Sequence, residues 1–317
     1  MNSKVRYYNV RSSINLALGI SFVFFFYGLC SCRKEKLGSR HKDLINTEKQ
    51  SVSLVGSNLQ FPCTNPSDTE IKKELLKWRK LAGKFQCQLD PNGEGVTGGW
   101  CLQASGDKWG PDARGNKAAR HHVPADPGIA NAFVKFLKNF YDSNNQNNKL
   151  SLLDIGAGVG QYGYWFESNG ANKWLDWSGF DGAENVEEFT NSYVKWLDVT
   201  NPYFDIIGND YRADWIMSLE VAEHIPSEST SAMLNLLDKH TKHGIILSWA
   251  PPGQGGHSHI NEKSNEEVVQ LMKKRGFVQD KWCLEFQEYS RNAAIHQWFK
   301  NSLMVFIREI QSKNQNS

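Results

Sequence analysis

Leu152-Leu153-Asp154-Ile155-Gly156-Ala157-Gly158-Val159-Gly160-Gln161-Tyr162-Gly163 is the stretch that decides how this chain is read. Its apolar opening reads as a buried strand. Gly156, Gly158 and Gly160 take alternate positions, and a helix-like run continues through Phe166. A strand that ends in such a loop turns backbone N–H groups and a helix N-terminus toward whatever lies above it. Glycine suits the place because a side chain would hold a ligand off the backbone.

Two cofactor classes use this device. Residues 158–163 satisfy G-x-G-x-x-G, the dinucleotide fingerprint. The frame that starts at Asp154 reads D-x-G-x-G-x-G and ends the strand on an acid. A carboxylate there repels a pyrophosphate and suits a cationic amino-acid ligand. The stretch resembles motif I of the class I S-adenosylmethionine-dependent methyltransferases. The resemblance implies that Asp154 supports the methionine end of the cofactor and that Gly156, Gly158 and Gly160 let it lie close. A tight strand-to-helix turn without a ligand is the plain alternative.

From residue 149 the pattern alternates strand and helix. That argues for an α/β, doubly wound, Rossmann-like sheet. The resemblance covers residues 125–310 and implies seven strands, mostly parallel, with an antiparallel final strand. Residues 177–181 read as the second strand, ending in Asp181, an acid placed to accept ribose hydroxyls. Residues 194–200 resemble the third strand, followed by the acid that meets the adenine amino group, here Asp198. Trp196, Leu197 or Val199 would line the adenine face. Residues 244–249 read as the fifth strand and residues 265–274 as a helix, with closing strands at 282–289 and 303–308. Ahead of the sheet, Asp126 caps a helix with Pro127 in its first turn. Ile129, Ala132, Phe133, Phe136, Leu137 and Phe140 give that helix its apolar face. His121 and His122 stand just before it, either facing the site or lying on the surface.

The second strong signal runs over residues 214–226, a fourth strand passing into Glu220-Val221-Ala222-Glu223-His224-Ile225-Pro226. This end resembles the segment after strand 4 in ubiquinone-biosynthesis O-methyltransferases. A related E-x-x-E-H occurs in small-RNA 2′-O-methyltransferases. Strand C-termini are where such sheets place ligands. Glu220, Glu223 and His224, with His257 after the fifth strand, form a set able to bind a hard divalent cation such as magnesium. His259 is a further candidate ligand or base. A hydrogen-bonded loop that merely shapes the site is the alternative. His224 and Glu220 are the candidate catalytic pair, since an imidazole titrates near neutral pH.

Lys and Arg number 36 against 34 Asp and Glu, a net charge of +2. No basic excess asks for a nucleic-acid partner. Residues 14–32 are apolar around the run 22–27 and approach the ~20 residues that span a bilayer. They read as a signal anchor of a single-pass membrane protein, with a cleaved signal peptide as the runner-up. Residues 1–13 form a polar tail, 33–124 a linker and cap-like irregular extension, 125–310 the methyltransferase-like domain and 311–317 a disordered tail. Arg33, Lys34, Lys36, Arg40 and Lys42 outnumber the bases before the run and place the domain in the cytosol by the positive-inside rule. A luminal domain stays open, and Cys63, Cys87 and Cys101 could then form a disulfide. The expected activity is methyl transfer from S-adenosylmethionine to a small or lipid-like acceptor hydroxyl. A membrane-tethered S-adenosylmethionine-binding protein without catalysis, a small-RNA 2′-O-methyltransferase-like enzyme and a nicotinamide-dependent oxidoreductase are the alternatives.

Overall fold

Apolar side chains on successive strand residues point to opposite faces of a sheet, and here they divide between two cores. Leu152, Trp215, Met217, Ile246 and Val305 join one buried cluster. Leu153, Ile155, Ile216, Ile245, Leu247, Met304 and Phe306 join the other. Such double burial needs helices on both faces. The computed structural model describes residues 67–90, 101–103, 122–144, 148–201, 207–208 and 210–309. The apolar run 14–32, His121, Trp100, Trp109 and the tail 311–317 lie outside the described residues. Among the described residues no helix is long and apolar enough to cross a membrane. The chain divides into two units after Ile71, and the first is described only from Ser67.

The strands are β1 (Leu150–Ile155), β2 (Leu175–Asp181), β3 (Val194–Trp196), β4 (Ala213–Ser218), β5 (Thr241–Ser248), β6 (Phe277–Val278) and β7 (Leu303–Arg308). They form one sheet in the order β3-β2-β1-β4-β5-β7-β6. The first five strands pair in parallel, and β7 runs antiparallel to both β5 and β6. The order reverses between β1 and β4, which opens a crevice at their C-terminal ends. The expected seven-stranded α/β sheet with an antiparallel last strand is the fold observed.

The helices are α1 (Asp68–Leu89), α2 (Pro127–Ser143), α3 (Gln161–Ser168), α4 (Val186–Phe189), α5 (Thr230–Lys239), α6 (Asn265–Lys273), α7 (Lys281–Ala293) and α8 (Phe299–Ser302). One expectation fails: residues 282–289 are the middle of α7, not a strand. Their aromatic content favours a strand, but Cys283, Phe286 and Ser290 are the buried positions, at helical spacing. The Asp280 side chain accepts from Cys283 N and starts the helix. The partner that β7 needs is the two-residue β6.

Asp126 does more than cap α2. Its Oδ1 accepts from Gly128 N and Ile129 N, and its Oδ2 from Ile295 N and His296 N at 2.9 and 2.8 Å. One fully buried carboxylate thus joins the start of α2 to the segment after α7. Within Lys72–Ser317, α1 lies on the loop and helix after β2. Arg79 pairs with Glu184, Lys80 with Glu187 and Lys84 with Glu188. A Cys87–Cys101 disulfide and two hydrogen bonds between Leu102 and Asn185 complete the attachment.

Asp126→Ala leaves four backbone donors without their carboxylate, and the cap alone contributes about 1 kcal/mol. A stability loss of about 3 kcal/mol in urea unfolding is the expected outcome. A loss below about 0.5 kcal/mol would show that water or relaxation replaces those bonds.

Candidate cofactor site

A cavity of about 830 Å³ opens where the strand order reverses. Its floor is the glycine loop, and every backbone N–H from Gly156 to Gly160 is already used within the protein. Gly156 N and Ala157 N donate to Phe180 O at 2.7 and 2.9 Å, and Gly160 N donates to Ala157 O at 2.8 Å. Gly158 N donates to Asp181 Oδ2 at 2.8 Å, and Val159 N to Gln161 Oε1 at 3.1 Å. The expectation that this loop presents free amides to a ligand is therefore corrected: the loop is closed on itself and on β2.

The glycines are required for a reason the sequence did not reveal. Gly156, Gly158 and Gly160 have φ of 83, 57 and 87°, a region closed to most side chains. A Cβ on Gly156 would meet Val221 at 2.1 Å, one on Gly158 would meet His122 at 2.6 Å, and one on Gly160 would meet Tyr193 at 2.6 Å. The neighbours that crowd them are protein groups.

The cavity offers acceptors instead. Asp154, Asp181, Asp198 and Glu220 all line it, and among the described residues no lysine or arginine does. Asp154 sits at the end of β1, with Trp177 Nε1 donating to its Oδ2 at 3.2 Å. Burial pushes its carboxyl up to about 8. Asp181, at the end of β2, is also raised by burial, against His122 and the Ala183 and Gly158 amides. Asp198 accepts from Thr200 N and Oγ1 through its Oδ1. Leu197 and Val199 line the cavity, whereas Trp196 packs beneath it among buried apolar residues. Trp165 belongs to the core cluster, not to the cavity.

The segment after β4 supplies the second half. Glu220 has φ +57°, an uncommon backbone for a non-glycine residue. Its N–H donates to Ser248 Oγ, and that hydroxyl donates back to Glu220 Oε1 at 2.8 Å. The short 3-10 turn Ala222–His224 follows. Glu223 is fully buried, and among the described residues neither carboxylate oxygen has a hydrogen-bond partner. Burial first, and the neighbouring Glu220 second, push its carboxyl well up. His224 Nδ1 lies 3.3 Å from Ser258 O, which places the proton of the neutral ring on Nδ1 and leaves Nε2 as the basic nitrogen.

The loop after β5 docks on that turn. Ile260 N and Asn261 N donate to Glu223 O, and Trp249 Nε1 donates to Asn261 O at 2.6 Å. Glu262 accepts from Gly253 N and Gly255 N and shapes the loop. His259 is thereby carried to 4.0 Å from Glu223 Oε1, with its ring 5.0 Å from that of His224. Donor atoms of Glu223, His224 and His259 all lie within 4.8 Å of one another. Of the four expected metal ligands, Glu223 and His224 belong to this set. Glu220 and His257 line the cavity beside it, and His259 takes the third place. Nothing in the sequence separates His257 from His259, because loop shape makes the choice. The remaining wall, Gln297, Trp298, Phe299 and Asn301, comes from the segment after α7 and carried no motif.

No protein-family model and no curated protein matches the chain. Solved structures do. Magnesium protoporphyrin IX methyltransferase from Synechocystis PCC 6803, with bound S-adenosylhomocysteine, shares 16% identity over 57% of this chain and 84% of its own, at a TM-score of 0.39. The plantazolicin methyltransferase BpumL shares 14% over 58% of this chain and 86% of its own, at 0.41. The DszA carbon methyltransferase shares 14% over 57% and 53%, at 0.39.

Proposed function

We propose that the protein binds S-adenosylmethionine and transfers its methyl group to a small or lipid-like acceptor, with oxygen the favoured acceptor atom. One observation carries this reading: a cavity lined by four carboxylates, with no lysine or arginine among the described residues, over a loop whose amides are all used. A pyrophosphate would find the loop amides already used, no lysine or arginine among the described residues, and four acids around it. A ligand with an ammonium, a sulfonium, ribose hydroxyls and an adenine amino group would find acceptors for each. The nicotinamide alternative loses its basis. Asp154 faces the ammonium, Asp181 the ribose and Asp198 the base.

Methyl transfer from a sulfonium is an in-line displacement whose leaving group is neutral. The cofactor supplies the reactive carbon, and this chain aligns the acceptor and removes its proton. His224 is the general base, acting through Nε2 while Ser258 O holds Nδ1. Glu220, fixed by Ser248, stands at the same wall. The second reading rests on the unpaired oxygens of buried Glu223. Glu223, His224 and His259 would hold a divalent cation, and His224 would then be a ligand. Two imidazoles and one carboxylate suit manganese, zinc or iron better than magnesium. When bound, such an ion lowers the acceptor's pKa.

The Cys87–Cys101 disulfide supports a domain on the oxidising side of a membrane. That favours the luminal placement over the cytosolic one suggested by the bases at 33–42. Membrane attachment through residues 14–32 is part of the same proposal.

Calorimetric titration of the full chain with S-adenosylhomocysteine and with NADH tests the cofactor. Micromolar binding of the adenosyl ligand and none of NADH is expected; the reverse result would return the glycine loop to the dinucleotide class. A pH series tests Asp154. Below about 8 its carboxyl is protonated in the free protein, and the ammonium prefers it ionised. Affinity for S-adenosylmethionine therefore rises with pH toward 8, and Asp154→Asn weakens binding and removes the dependence. A pH-independent wild type would contradict the ammonium contact. For the metal reading, manganese or zinc should raise the thermal midpoint of the wild type and leave that of Glu223→Gln unmoved. No shift in either protein leaves His224 as the base.

A further inference from the structure

Arg79 lies outside every motif of the chain, yet its position on α1 brings it behind Asp198, one of the acids of the cavity. Its Nη2 is 2.5 Å from Glu184 Oε1 and 4.0 Å from Asp198 Oδ2, and its guanidinium carbon sits 5.5 Å from the centroid of the Trp196 ring. Glu184 and Asp198 side chains are 3% and 4% exposed. Thr200 N and Oγ1 occupy Asp198 Oδ1 at 2.9 and 2.6 Å. The carboxylate is thus tied on one oxygen by Thr200 and faced on the other by Arg79 at ion-pair distance. Arg79 itself is hard to displace. The fork sits over an indole, Gly83 packs one turn later against Glu184 with no room for a Cβ, and Cys87–Cys101 staples the end of the helix. Breaking such a buried pair would leave Glu184 with an uncompensated charge.

We propose that Arg79 is a positioning residue for base recognition: it holds Asp198 as an oriented acceptor, so that the site takes a 6-aminopurine nucleoside and rejects the 6-oxo form. This rests on the adenosyl reading of the cavity. An amino group donates to the Asp198 carboxylate, whereas a 6-oxo group meets it acceptor to acceptor and leaves it unpaired. Discrimination then depends on the orientation of Oδ2. The planar guanidinium, bonded to Glu184 and set over the Trp196 ring, sets that orientation better than a flexible ammonium would. Residues 72–89 are on this account a bracket that carries part of the base pocket, not a surface extension.

The test is calorimetry of the full chain with S-adenosylhomocysteine and with its hypoxanthine analogue, for the wild type, Arg79→Gln and Arg79→Lys, each with a melting curve. The wild type should favour the amino form by about a hundredfold, because a site built to bond an amino group is left unpaired by its analogue. Arg79→Gln should cut that ratio about tenfold, because Asp198 loses the positive charge that faces its Oδ2. Arg79→Lys should recover part of it. A merely structural role would weaken both ligands alike and leave the ratio unmoved, which would overturn the proposal. A wild type that binds both ligands equally would overturn it too, with the cofactor reading intact. A folded wild type that binds neither removes the cofactor reading, and this inference with it. If Arg79→Gln does not fold, Arg79→Lys against the wild type decides: a lowered ratio supports the role, and an equal ratio ends it.

Discussion

Asp181 is the hinge between the two halves of the cavity floor. Its Oδ2 takes Gly158 N from the loop after β1, and its Oδ1 takes Ala183 N from the loop after β2. Gly156 and Ala157 hang on the carbonyl of Phe180, one residue earlier. Two parallel strands are thereby joined beyond their last ladder bonds, and the glycine loop has one shape before any ligand arrives. The sheet order puts this join next to the gap between β1 and β4. Everything that could recognise a ligand is measured from it.

The consequence is a site of opposite character from a phosphate cradle. With the amides spent inside the loop, the charges left facing the cavity are carboxylates. Asp154, Asp181 and Glu220 are each pushed upward, and in each burial is the main cause. Free protein therefore carries a standing cost: buried acids without cations, a non-glycine residue at positive φ, and the orphaned oxygens of Glu223. Stability is given up where function needs it. A ligand that is positive at one end and donates hydrogen bonds at the other relieves that cost, so binding and folding are linked through the same groups.

Much of this could be read beforehand, for reasons that are local. Leu152 to Gly160 is one contiguous strand and turn, and its acid and glycines hold their places by chain geometry alone. Asp181 ends β2, and Asp198 follows β3 by two residues. The failures share a different cause. Residues 282–289 are rich in β-formers, and the 3.6-residue spacing of Cys283 and Phe286 emerges only against α2. His259 takes the place expected of His257, in a loop fixed where Ile260 and Asn261 donate to Glu223 O. The function given to the glycines was incomplete, because Val221, His122 and Tyr193 come from far along the chain.

The least legible part is α1, and it shows what a sequence pattern omits. Two apolar stripes run along it. Trp78, Leu81, Phe85 and Leu89 are exposed, whereas Gly83 and Cys87 are buried. Ile71, Leu75 and Leu76 are half-buried on the inner side, and Leu76 packs against the cluster around Trp196, while the larger apolar residues point outward. The inner face is won by ion pairs to Glu184, Glu187 and Glu188, a small residue where backbones approach, and a disulfide. Surface ion pairs of this kind contribute little singly. Arg79 and Glu184 are the exception, since both lie under the helix, and one partner stands beside a cavity acid. A segment that composition marked as an extension is therefore bound behind Asp198, and ion pairs and a disulfide hold it there.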